Sequence, residues 1–107
     1  MSDTLQYGLK KNVIADIQNI FSKFDDVQEG LIFGSRAKGN YHPGSDIDIT
    51  LKGDRLNLQR LNKITNNLDD LFLPYIVDLS IYHQINNQKL IDHIKRVGKI
   101  FYKRQKG

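Results

Sequence analysis

From Leu9 to Phe24 the apolar residues Leu9, Val13, Ile14, Ile17, Ile20, Phe21 and Phe24 recur at intervals of three and four, with Gly8 just ahead of them. This spacing predicts an amphipathic helix packed on a sheet, starting at Gly8. Leu31, Ile32 and Phe33 then form a short apolar run that stops at Gly34-Ser35, as a buried strand stops at a tight turn. Ser35 is placed to cap one turn of helix over Arg36 to Lys38, and Gly39 to end it. Beyond the polar loop Asn40 to Gly44, Ser45 to Leu51 alternates strictly, which predicts a strand with Ile47, Ile49 and Leu51 on one face and Asp46, Asp48 and Thr50 on the other.

After Lys52-Gly53-Asp54, Leu61, Ile64, Leu68 and Leu71 mark one face of a second long helix limited by Pro74. Tyr75 to Tyr82 is rich in β-branched and aromatic residues and predicts a strand, with Tyr75, Val77, Leu79 and Ile81 on one face and Ile76, Asp78 and Ser80 on the other. A last helix capped by Asn86 or Asn87 turns Leu90, Ile91, Ile94 and Val97 inward. Gly98 follows as its C′ residue, and Lys99 to Tyr102 forms an edge strand whose lysines discourage further pairing. This order predicts an α/β fold with a mixed β-sheet, helices covering one face and the acidic residues open on the other.

At 107 residues the chain is expected to form a single domain over 1–107, too short for separate nucleotide and acceptor domains, so a partner is expected to complete the acceptor site. With 39% apolar and 26% charged residues the composition is that of an ordinary globular protein. The absence of cysteine excludes disulfides and thiolate metal sites and fits a cytoplasmic location. No apolar run approaches membrane-spanning length, so no membrane partner is expected. A net charge of +4 permits a polyanion without indicating nucleic acid directly. The excess gathers in Lys95, Arg96, Lys99, Lys103, Arg104 and Lys106, read first as a solvated tail and second as a contact for a partner or RNA.

The chemistry concentrates between Leu31 and Leu51. Gly34 lets a phosphate approach the backbone, and Ser35 adds a hydroxyl. Asp46 and Asp48 lie on one face with Cα atoms about 6.6 Å apart, close enough to share a hard divalent cation. A phosphate at the nearby turn would supply further oxygen ligands, the usual way magnesium is bound. Asp78 is a carboxylate in mid-strand among apolar neighbours, costly there unless paired, hydrogen-bonded or metal-bound. The alternative is an edge-strand acid in solvent.

His42, His83 and His93 do not have metal-site spacing; a hydrogen-bonded or surface role is the default for the last two. His42 and Tyr41 lie beside the proposed pocket, where Tyr41 either stacks on a base or covers the loop. Asp69 and Asp70 read as surface charges.

Gly34-Ser35, Gly39 and Ser45-Asp46-x-Asp48 resemble the signature of the DNA polymerase beta type nucleotidyltransferases. Within that superfamily the segments GSRAKG and PGSDIDI are most similar to the minimal nucleotidyltransferases, and the resemblance runs from about Tyr7 to Tyr102. Lys38 stands where many members carry Arg, which keeps the charge but loses the planar fork of a bidentate phosphate contact. The resemblance implies metal-dependent attack of a hydroxyl on the α-phosphate of ATP. In it Gly34, Ser35 and Ser45 belong to the nucleotide site, Asp46 and Asp48 hold Mg²⁺, and Asp78 completes the acceptor-side metal and helps deprotonate the nucleophile. Two readings stand for Arg36 and Lys38: charges that offset the leaving pyrophosphate, or surface charges on a short turn.

The resemblance also implies a partner, because minimal nucleotidyltransferases are often paired with a HEPN-domain RNase toxin that they neutralise as antitoxins, in several cases by moving AMP from ATP to a toxin tyrosine. Two rivals remain. A nucleotidyltransferase acting on a small molecule would need an acceptor domain that this short chain lacks. A non-catalytic binding antitoxin or complex subunit has no need of three clustered acids.

Overall fold

The computed structural model describes residues 5–105. Lys106, the last of the basic residues named above, lies outside them. The elements in chain order are β1 (Leu5–Gln6), β2 (Leu9–Lys10), α1 (Lys11–Ser22), β3 (Glu29–Phe33), α2 (Gly34–Lys38), β4 (Ile47–Lys52), α3 (Leu58–Asp69), β5 (Val77–Ile81), a 3₁₀ turn (Tyr82–Gln84), α4 (Gln88–Val97) and β6 (Lys99–Lys103). Strands β3 to β6 form one sheet in the order β5-β4-β3-β6. It is mixed: β3 runs antiparallel to both β4 and β6, while β4 and β5 are parallel. A parallel pair needs a crossover, and α3 supplies it.

The alternation from Ile47 to Leu51 builds the core as predicted. Ile47, Ile49 and Leu51 are fully buried with Ile32 of β3, and they pack under Ile17, Ile20 and Phe21 of α1 and Ile64 and Leu68 of α3. Each such side chain contributes about 1.5–3 kcal/mol through removal from water. Asn57 caps α3 by accepting the Arg60 N–H (2.8 Å), and Asn87 caps α4 by accepting the Leu90 N–H (3.2 Å).

Several boundaries differ from the periodicity. The first helix begins at Lys11, because Tyr7 (φ 58°) and Gly8 (φ 73°) make a tight turn that folds β1 onto β2. Leu9 is therefore in a strand, yet it is still fully buried. Helix α3 ends at Asp69, well before Pro74, and Leu71 joins the core from the turn beyond it. Gly98 is not left-handed (φ −63°); its N–H closes α4 on the Ile94 carbonyl at 2.7 Å.

Helices α1 and α3 share one face of the sheet. The opposite face is not wholly open. Phe33, which alternates with the core residue Ile32, meets His93 of α4 edge to face at 6.2 Å, and Ile94 is buried outside the main core cluster. Helix α4 thus lies across the acid-bearing face at the end of β3, and Thr50 on that face is fully buried.

Of the basic residues near the C-terminus, Lys95, Arg96, Lys99 and Lys103 are exposed, as the solvated reading expects, whereas Arg104 is not. Arg104 donates to the carbonyls of Val27 (2.9 Å) and Phe24 (2.7 Å), tying the chain after β6 to the end of α1. No described helix is long and apolar enough to cross a membrane.

Candidate active site

Three neighbouring strands bring the Gly34 turn, Asp48 and Asp78 together. Phe33 of β3 faces Asp48 of β4, and Asp48 faces Asp78 of β5. Gly34 directly follows Phe33, so Gly34, Asp48 and Asp78 lie side by side across strands about 4.8 Å apart. Asp46 stands one residue before β4 begins and is exposed, as is Asp78, whereas Asp48 is half-buried.

The electrostatics record the crowding. Burial raises the Asp48 carboxyl above its ordinary value of 3.8, Asp78 and then Asp46 push it further up, and His93 opposes them. Three carboxylates that repel one another, with only oxygen donors, suit a hard divalent cation. Among the described residues, however, no three such side chains are close enough to enclose an ion unaided. That arrangement fits a cation whose remaining ligands come from a polyphosphate, since magnesium is commonly held by one or two carboxylates plus substrate oxygens.

Gly34 must be glycine on two counts. Its φ is +75°, and a Cβ there would overlap the Asp48 carboxylate. Left-handed backbone costs a non-glycine residue about 1–3 kcal/mol before any overlap is counted. We therefore expect Gly34→Ala to lower the melting temperature and to weaken binding of magnesium-ATP, read by differential scanning calorimetry and isothermal titration. Unchanged binding would separate Gly34 from the site.

Helix α2 departs from expectation at its start. It begins at Gly34 with Phe33 in the cap position and no side-chain cap, so Ser35 lies inside the helix rather than capping it. Gly39 ends it in left-handed conformation (φ 90°), as predicted. The Gly34 N–H donates to His93 Nε2 at 3.2 Å. Ser45 closes the preceding loop, its hydroxyl accepting from the His42 N–H at 2.8 Å. Lys38 is exposed at the end of α2.

Arg36 is neither a surface charge nor turned outward to an anion. It is 2% exposed, and its guanidinium donates to backbone carbonyls of Tyr7, Pro43 and Ser45. Tyr41 covers that guanidinium at 5.3 Å, and Tyr75 does so at 4.8 Å. Sequence reasoning missed His93 and Tyr75 as neighbours of the site. No local spacing marks either; a cation next to two tyrosines is visible only once the chain is folded.

The fold has relatives among solved structures. A chain from the crystal structure of a toxin-antitoxin with AMP-PNP is 23% identical, with 91% of this chain and 76% of that one aligned at a TM-score of 0.68. A chain from the tri-AMPylated Shewanella oneidensis HEPN toxin in complex with MNT antitoxin is 18% identical over 89% of this chain and 73% of that one (TM-score 0.65). A putative nucleotidyltransferase from Sulfolobus solfataricus is 24% identical over 91% and 82% (TM-score 0.51). No curated protein matches in sequence. The family model described as Polymerase beta, Nucleotidyltransferase matches residues 15–107. That match spans the Gly34-Ser35 turn, the Asp46-x-Asp48 pair and Asp78, and the chain belongs to the polymerase beta nucleotidyltransferase family.

Proposed function

We propose that this chain, acting as one nucleotidyltransferase unit, moves AMP from ATP to a hydroxyl of a partner protein, a tyrosine of a HEPN-type toxin, and so serves as its antitoxin. The observation that carries this reading is the strand register, which sets Asp78 beside Asp48 and Asp48 beside the Gly34 turn. Asp46 and Asp48 would hold Mg²⁺, with Asp78 joining on the acceptor side; the bound ion would offset charge on the phosphates and lower the pKa of an acceptor hydroxyl. Ser35 and the backbone N–H groups at the head of α2 would meet the β- and γ-phosphates, with Lys38 as a point charge for the departing pyrophosphate. The acceptor oxygen attacks the α-phosphorus, the bond from that phosphorus to the bridging oxygen breaks, pyrophosphate leaves, and Asp78 takes the hydroxyl proton. Arg36, with its donors turned to carbonyls, has no phosphate to hold in this scheme.

Asp78 is exposed on β5, an edge strand, so a bulky acceptor can reach it without a cleft of the chain's own. The AMP-PNP in one structural relative and the AMPylated HEPN toxin in another support the nucleotide and the acceptor class. The test is incubation of the protein with ATP, Mg²⁺ and a HEPN-type partner, followed by mass spectrometry. We expect AMP on a partner tyrosine. An unmodified partner beside a labelled small molecule would replace the acceptor in this reading, and no labelling at all would favour a binding-only antitoxin.

A further inference from the structure

We infer that Arg36 is the positioning residue of the site: from inside the fold it sets the chain that delivers Asp46. This inference rests on the reading of Asp46 and Asp48 as the metal-binding pair. Arg36 donates twice to one acceptor, the Ser45 carbonyl, from Nε (3.1 Å) and from Nη2 (2.9 Å). Nη2 also donates to the Pro43 carbonyl (3.3 Å), and Nη1 to the Tyr7 carbonyl (2.9 Å). The Ser45 carbonyl belongs to the peptide that leads into Asp46, so this planar fork fixes the residue just ahead of the acid pair.

The same guanidinium joins segments that are distant in sequence. Tyr7 belongs to the N-terminal turn, Tyr41 and Pro43 to the loop, and Tyr75 to the approach to β5, which carries Asp78. Both acid-bearing strands are therefore registered against one buried group that is itself part of the phosphate-turn helix. The charge has no carboxylate partner, since the ion pairs among the described residues are Lys52–Glu29 and Arg60–Asp26. Carbonyl oxygens and two ring faces hold it instead.

Lysine would keep the charge but not the fork, and one ammonium cannot reproduce the in-plane contacts to Ser45, Pro43 and Tyr7. Groups that orient metal ligands typically alter metal affinity or activity about 10–100-fold when replaced. Arg36→Lys should therefore raise the dissociation constant for ATP at limiting Mg²⁺ by about 10–100-fold, with much of the loss recovered at high Mg²⁺.

A control is needed for mere loss of stability, and Arg104 supplies one. It is a comparable arginine bonded to the Val27 and Phe24 carbonyls away from the acids. Arg104→Lys should lower the melting temperature while leaving the Mg²⁺ requirement unchanged. If Arg36→Lys does not fold, Gly8→Ala perturbs the same hub. Gly8 has φ +73°, and a Cβ there would overlap the Tyr41 ring and approach Arg36 Nη1 to 2.9 Å.

The experiment is isothermal titration of ATP into each folded variant at several Mg²⁺ concentrations, with melting temperatures measured alongside. A raised Mg²⁺ requirement in Arg36→Lys, or in Gly8→Ala where the former is unfolded, with none in Arg104→Lys, supports the inference. An unshifted requirement in the variant that folds, or an equal shift in Arg104→Lys, overturns it. If the wild-type protein itself binds ATP equally with and without Mg²⁺, the metal reading fails first, and that outcome is read before any variant is compared.

Discussion

Asp78→Asn is expected to bind magnesium-ATP like the wild-type protein and to transfer almost nothing. Asp78 is the register partner of Asp48 but sits exposed on the edge strand, on the side an acceptor would approach, whereas Asp48 lies beside the Gly34 turn. The amide keeps the shape of the side chain but cannot take a proton at neutral pH and is a poorer metal ligand, so the attacking hydroxyl stays protonated. General-base catalysis is worth about 10²–10⁴-fold, and transfer should fall at least that far. Calorimetry and a labelled-ATP transfer assay on the same preparation give both readouts. Transfer near the wild-type rate would reduce Asp78 to a surface acid; loss of ATP binding as complete as that of Asp48→Asn would void the division of roles.

Asp48→Asn should do the opposite to binding and, without metal, should stabilise the fold. Burial, Asp78 and Asp46 raise the folded-state value of Asp48 above 3.8, so the folded protein holds this proton more tightly than the unfolded chain. The contribution of the group is thus most favourable below 3.8 and is lost as pH rises from there through the raised folded value. At neutral pH the ionised carboxylate is a net cost that asparagine removes. In EDTA the variant should melt higher than the wild-type protein at pH 7. The advantage should shrink toward pH 4.

With Mg²⁺ present the order should reverse for ligand binding, because the variant lacks one of the two carboxylates proposed to hold the metal. Support of ATP binding by Mg²⁺ should weaken about 100-fold or more, since a coordinated cation contributes several kcal/mol of charge stabilisation. Thermal melts in EDTA from pH 4 to 8 and titrations with Mg²⁺ check the two halves separately. A wild-type protein that melts higher than Asp48→Asn in EDTA at pH 7 would contradict the crowding of carboxylates inferred from the geometry.

What the chain determined by itself is what short-range periodicity can encode. Alternation from Ile47 to Leu51 places Asp48 opposite the core whatever the neighbouring strands are, because successive strand residues point to opposite faces. Gly34-Ser35 after an apolar run likewise announces a turn, and the apolar spacing in α1 and α3 announces which helix faces are buried. Where local turn chemistry competed with that spacing, as at Tyr7-Gly8, the hairpin displaced the first helical residues without moving Leu9 out of the core.

The tertiary structure alone decided which segments met. Arg36 reads equally as a charge for the leaving pyrophosphate or as a surface charge on a short turn until the Tyr7 carbonyl and the Tyr75 ring meet it, and a buried guanidinium is costly unless its N–H groups are hydrogen-bonded. His93 reads as a hydrogen-bonded or surface histidine with no partner in view until α4 crosses the acid-bearing face and brings it to Gly34, 59 positions away in the chain. Arg104 reads as tail until the end of α1 offers it carbonyls some 80 residues earlier. The reason is common to all three: a side chain's periodicity tells which way it points, while the partner that satisfies its charge is set by long-range packing that no local pattern records.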